Sequence, residues 1–197
     1  MLFILANILS YLHCLEFKMN PVLNPPDNKV VSTVIVAMDR GLSEINAGFS
    51  KSRKVSDLEW IKDVILSQLA QEGKNLGYKV SGHGQPKPAW LYDLMWKGAE
   101  SNQEPALVVE CPLGSEYFEI KDDFEKLLMA GAELRLMITY SGINDKDFEH
   151  ASRIVSKLKE KISFSTMTQA GDCFLFAAII AGKENIYTIH YEIVEKE

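Results

Sequence analysis

The sequence predicts an α/β fold: a mixed central sheet flanked by helices, with an additional C-terminal β-hairpin. Three observations carry this. Residues 88–142 read strand, strand, helix, strand, the apolar period changing from two to 3.6 and back. Amphipathic helical stretches lie on both sides of that unit. The apolar run Cys173–Ile180 (CFLFAAII) is followed, across GKEN, by the alternating segment Ile186–Val194.

The chain has 197 residues, 47% of them apolar, enough for one domain with a full core. Residues 1–28 read as an apolar segment and a Pro/Asn-rich spacer, and 29–197 as a single domain. A net charge of -6 and a pI near 5.3 argue against a nonspecific coat on nucleic acid, leaving only a local basic groove. Cys14, Cys111 and Cys173 are odd in number and scattered, with no CxxC. That spacing speaks against zinc and fits free thiols in a reducing cytoplasm. Met1–Leu15 (MLFILANILSYLHCL) is too short to span a bilayer and lacks a basic leader. It reads as upstream sequence before a start at Met19, as a short docked helix, or last as a membrane anchor; the expectation is no membrane partner.

Taken in order, Asp27 or Asn28 can cap a helix from Lys29, with Val30, Val31, Val34, Ile35 and Met38 at helical spacing. The β-branched content favours a strand instead, and Gly41 and Gly48 loosen the next segment. Lys51–Lys54 (KSRK) reads as a solvated linker before a phosphate contact. Ser56 to Glu59 forms a capping box for a helix to about Glu72, burying Leu58, Ile61, Ile65 and Leu69. Gly73 and Gly77 supply stops. Tyr78–Ser81 is a short strand, and His83 sits in the loop GHGQPK, an exposed loop residue before a substrate contact.

Pro88–Lys97 (PAWLYDLMWK) reads as a strand with Trp90, Tyr92, Leu94 and Trp96 on one face and Asp93 among apolar neighbours on the other. Pro105–Cys111 (PALVVEC) ends on Glu110, and the connection between them is of hairpin length. Glu116–Ala130 is a helix burying Ile120, Phe124, Leu127 and Leu128. It leads to Glu133–Tyr140, a strand parallel to Pro105–Cys111. Asn144 can cap a further helix whose apolar stripe is Phe148, Ala151, Val155, Leu158 and Ile162. A carboxylate embedded in an apolar strand must be paired, bound to a metal or pushed out at a strand end. Asp93 and Glu110, on neighbouring strands, suggest one shared site.

At these residues the sequence resembles the PD-(D/E)xK nuclease superfamily. The resemblance spans Ser56–Gly142 and rests on YDLMW, LVVEC and DDFEKLLMAGAELRLMITY, the last similar to a bacterial subgroup with a DFxKLL helix signature. It implies a restriction endonuclease-like core and a Mg²⁺-dependent nuclease acting on DNA, with Mn²⁺ as a substitute. It implies Asp93, Glu110 and the Cys111 main-chain carbonyl as metal ligands, and Asp93, Glu110 and Lys126 as the catalytic set. Two carboxylates suit a hard cation that activates water beside a phosphate. The chain departs from the family pattern in having Pro112 where a lysine is expected and Tyr92 where a proline precedes the first acid. Lys126, matching the helix lysine, lies roughly 15 Å along its helix at 1.5 Å per residue, and Lys121 is the nearer candidate if that helix runs away from the acids. Ordinary roles stand beside these: Asp122–Lys126 and Lys121–Glu125 pairs, an Asp93–Lys97 pair, a solvated Glu110, and Glu59 as cap rather than ligand. The alternative reading is a degenerate nuclease fold that binds nucleic acid or protein. A homodimer is compatible with either.

Overall fold

The structure, a computed structural model, describes residues 29–49, 58–85, 91–100, 103–112, 114, 116–141, 147–182 and 186–197. The apolar start and its spacer, the KSRK run, the Ser56 cap, Pro88–Trp90, the Asn144 cap and most of the GKEN turn lie outside the described residues.

Four helices and six strands are described: α1 (Lys29–Phe49), α2 (Leu58–Asn75), β1 (Lys79–Gly82), β2 (Leu94–Lys97), β3 (Leu107–Glu110), α3 (Tyr117–Met129), β4 (Leu134–Ser141), α4 (Asp147–Phe164), β5 (Cys173–Ala181) and β6 (Tyr187–Glu195). The strands form one mixed sheet in the order β1-β2-β3-β4-β5-β6. Neighbours are antiparallel through β3, parallel from β3 to β5, and antiparallel again for β5–β6. The expected hairpin, crossover and terminal β-hairpin are therefore all present.

One face of the sheet is covered by α1 and α2. Val31, Val34, Met38, Ile65 and Leu69 pack there on Leu94, Trp96, Leu107, Val109, Leu136 and Leu175. The other face is covered by α3 and α4, whose Ile120, Phe124, Leu127, Val155, Leu158 and Ile162 meet Val108, Met137, Phe174 and Phe176. Helix propensity spans less than 1 kcal/mol for ordinary residues, so burial decides α1 as helix despite its valines. Gly41 and Gly48 do not break it. A Cβ at Gly41 would lie 2.8 Å from Ile65 Cδ1 and one at Gly48 2.8 Å from the Trp60 ring, so both let α1 and α2 come close. Gly73 likewise sits inside α2 and not at its end. The stop is Gly77: with φ at +85°, it lets Tyr78 N–H reach Gly73 O and its own N–H reach Lys74 O, each at 2.9 Å.

The strand expected over Pro88–Lys97 is corrected: among the described residues of that stretch Leu94–Lys97 is extended, and residues 91–93 form a bend. The bend breaks the period of two. Tyr92 packs with Met95 on the α3/α4 face, while Leu94 and Trp96 lie on the other. Arg135 is buried on β4, its guanidinium over the Phe174 ring at 5.0 Å, paired with Asp172 at 3.1 Å and donating to Ala130 O at 2.7 Å. Among the described residues no helix is long and apolar enough to cross a membrane.

Candidate functional site

Asp93 ends the bend that enters β2, and its main chain is held from both sides. Its N–H donates to Val109 O at 3.0 Å, and its carbonyl accepts from His83 N–H at 2.7 Å. That approach requires Gly82, which has φ +114°; a Cβ there would collide with the Asp93 carbonyl oxygen. Leu94 pairs with Val109, so the next step of the register sets Asp93 opposite Glu110. The sequence thus brings the two acids to the same end of adjacent strands.

Their side chains then turn to different helices. Asp93 Oδ2 accepts from Cys111 N–H at 2.7 Å, and Oδ1 pairs with Lys62 Nζ of α2 at 2.8 Å. Glu110 Oε1 lies 3.4 Å from Lys126 Nζ of α3, which also bonds Asp123 Oδ1 at 2.5 Å. The Glu110 contact is ionic but not aligned as a hydrogen bond: among the described residues Oε1 is buried with no hydrogen-bond partner. Glu110 is 3% exposed, so the expectation of a solvated strand end is overturned. Burial pushes its carboxyl up to about 8, with the Asp123 and Asp93 carboxylates acting in the same direction and Lys126 against it. Burial pulls the Lys62 ammonium down, but its bond to Asp93 prevails and the net shift is upward. Lys126 behaves the same way beside Asp123 and Glu110.

Lys126, not Lys121, is the helix lysine that reaches Glu110; Lys121 lies against Asp122 at 3.9 Å and acts on Glu125 through its field. The expected i,i+4 pairs are replaced: Lys126 bonds Asp123, and Glu125 bonds Lys161 at 2.8 Å. Asp93 takes Lys62 rather than Lys97. Glu59 is exposed and acts on the site only through its field on Lys62 and Cys111. The Cys111 thiol is buried among the α1/α2 core residues and pushed up to about 12, so it stays protonated, and only its main-chain groups can serve.

Lys62 was the residue to find. On a helical wheel it flanks the stripe of Leu58, Ile61, Ile65 and Leu69, and a cation at the border of an apolar face needs an anion above it. Asp123 sits one turn before Lys126. His83, beside Asp93 through the backbone, has its Nε2 at 2.7 Å from Asp63 Oδ1 of α2.

The donor atoms decide whether a divalent cation suits this site. Among the described residues no cluster of three His, Cys, Asp or Glu side chains forms a ready cage. Asp93, Glu110 and the Cys111 carbonyl are hard oxygen donors, and Glu110 Oε1 is an acceptor without a donor. Few protein oxygens with several waters is how Mg²⁺ is commonly held, so the chemistry fits. The site lies at the carboxyl end of β3, where Lys62, Cys111, Pro112, Thr139 and Tyr140 line a crevice of about 10 Å³. A cavity of about 850 Å³ elsewhere, between α3 and α4, is lined by Met129, Lys157, Phe164 and Met167 and includes neither Asp93 nor Glu110. Compared with known proteins, the chain matches no protein-family model, no curated protein and no solved structure.

Proposed function

We propose that the chain has a restriction endonuclease-like core and is a Mg²⁺-dependent nuclease that hydrolyses DNA phosphodiester bonds, with Mn²⁺ able to replace Mg²⁺. The observation that carries this reading is that Asp93 and Glu110 stand opposite each other at one end of β2 and β3, each with a lysine, Lys62 and Lys126, from helices on the two faces of the sheet. Asp93, Glu110 and the Cys111 carbonyl would hold the cation, which supplies a lowered water pKa and charge stabilisation at phosphate. Lys62 and Lys126 stand in for the lysine that Pro112 replaces. Their ammonium groups are positioned to attract the phosphate and to orient the attacking water. Cys111 N–H fixes the rotamer of Asp93, and the Lys126–Asp123 bond fixes that of Lys126.

A second reading is favoured by the same ion pairs. Each carboxylate already has its own ammonium, which describes a degenerate nuclease fold retained as a nucleic-acid or protein binding module. Incubating plasmid and single-stranded DNA with Mg²⁺ or Mn²⁺ separates the two. Cleavage by wild type that Asp93→Ala abolishes supports the nuclease. Equal cleavage by both removes it, and cleavage by neither supports the binding module.

A further inference from the structure

We propose that the apolar segment Met1–Leu15, which lies outside the described residues, docks as an amphipathic helix into the groove between the C-terminal ends of α3 and α4. That groove is the cavity of about 850 Å³ lined by Met129, Phe164 and Met167. These three side chains are 60%, 79% and 63% exposed and gather in one place. Leu128 continues the apolar lining. Scattered apolar residues on a surface need no explanation, but a cluster lining one groove does. The lysines on its walls are already matched: Lys161 bonds Glu125 at 2.8 Å, and Lys157 sits over the Tyr117 ring at 5.3 Å. The groove therefore suits an apolar, uncharged occupant.

The chain carries one within reach. Met1–Leu15 contains no Asp, Glu, Lys or Arg. Its Leu2, Leu5, Ile8, Leu9, Leu12 and Leu15 recur at helical spacing, with Asn7, Ser10 and His13 on the other side. The chain also enters α1 at the end of the sheet where the groove opens. Asn46 holds Tyr187 at the start of β6, and Asp39 accepts from the Tyr191 hydroxyl at 2.8 Å, so α1 runs antiparallel to β6. Ten more residues of helix rise about 15 Å and four of strand about 13 Å, which sets Lys29 level with Glu195. The next residue, Lys196, donates through Nζ to Ile162 O at 2.7 Å and Ser163 O at 2.6 Å, in the last turn of α4 beside Phe164. From Lys29 to the groove the path crosses two packed layers, roughly 20 Å at about 10 Å each. Residues 16–28 span roughly 40 Å at about 3.1 Å per residue, so the tether reaches. A tether of this kind sets an effective concentration on the order of mM, which favours this segment over a free partner.

Native Cys14 allows a test in the full chain, because Cys111 and Cys173 are buried. Met167→Cys is treated with a short bismaleimide at about 1 µM protein, far below the effective concentration of the tether. Leu91→Cys, at the other end of the sheet, is the control. The expected result is a crosslink within one chain to position 167 and none to position 91, with slow hydrogen exchange over residues 1–15 of wild type. Phe164→Asp, at an exposed position, should abolish the crosslink when added to Met167→Cys and return residues 1–15 to fast exchange. Fast exchange in wild type, equal crosslinking to both positions, or a crosslink that survives Phe164→Asp overturns the proposal. Protection without the crosslink puts the segment on another face and overturns it as well. Crosslinks only between chains assign the groove to a second copy, and protection only on adding phosphatidylcholine vesicles assigns the segment to a membrane; either overturns it. The exchange arm needs only wild type, so a variant that fails to fold leaves the test intact.

Discussion

Replacing Glu110 by glutamine gives a signed pH dependence. In the metal-free fold the carboxyl is raised from 4.5 to about 8, chiefly by burial. Between those values the folded protein binds a proton that the unfolded chain has released, so stability falls as pH rises. The contribution is complete below the unfolded value and gone above the folded one. At about 1.4 kcal/mol per pH unit, the interval amounts to an upper bound of about 5 kcal/mol. Glutamine stays neutral throughout and removes that slope, while Lys126 keeps Asp123 as its partner. Urea unfolding in EDTA at pH 5, 7 and 9 measures it, read as the difference between wild type and Glu110→Gln so that other titrating groups cancel. The variant should gain on wild type by several kcal/mol from pH 5 to pH 9. Mg²⁺ should recover wild-type stability at pH 9 and leave the variant unchanged. A difference that stays constant from pH 5 to pH 9 would refute the reasoning, because an ionised Glu110 would then cost the fold nothing.

Lys62→Met should reduce Mg²⁺-dependent cleavage at least tenfold while thermal denaturation still shows a cooperative fold; undiminished cleavage would remove Lys62 from the site. Gly73→Ala opposes two effects: alanine favours the helix by about 1 kcal/mol, but its Cβ would lie 2.6 Å from Trp96 Nε1, and overpacking costs about 1–3 kcal/mol. Chemical denaturation should show net loss with altered Trp fluorescence, whereas Gly41→Ala, whose one tight contact is the terminal Cδ1 of Ile65, should be near neutral. Arg135→Ala should cost about 3 kcal/mol, the low end for breaking a buried pair, since Asp172 retains some water access; calorimetry would measure it.

The helices α2, α3 and α4 and the pairings β2–β3, β3–β4 and β5–β6 could be read from the sequence because apolar period and connection length fix them locally, whereas β1–β2 and β4–β5 join strands the sequence left without partners. Ile120, Phe124, Leu127 and Leu128 are the buried face of α3, as their spacing requires. α1 was ambiguous because its valines suit a strand alone and a helix once a sheet lies beneath them. The bend at 91–93 was hidden because Tyr92 and Leu91 are as apolar as strand residues; what displaces them is the approach of Gly82 to Asp93, a contact from another strand. That Asp93 and Glu110 stand at the same end of neighbouring strands was legible from the sequence. The choice of Lys62 by one and Lys126 by the other depends on which helix lies over each carboxylate, a property of three-dimensional packing.

The sequential strand order bears on biosynthesis. Each strand docks beside the one made just before it, so no later segment must be wedged between two earlier ones. A nascent chain can therefore extend its sheet in one direction as it leaves the ribosome. A nonsense codon after Gly182 would leave β5, an almost wholly apolar ribbon, as the terminal border. Such a truncated product should be a substrate for chaperones and proteases rather than a smaller folded protein.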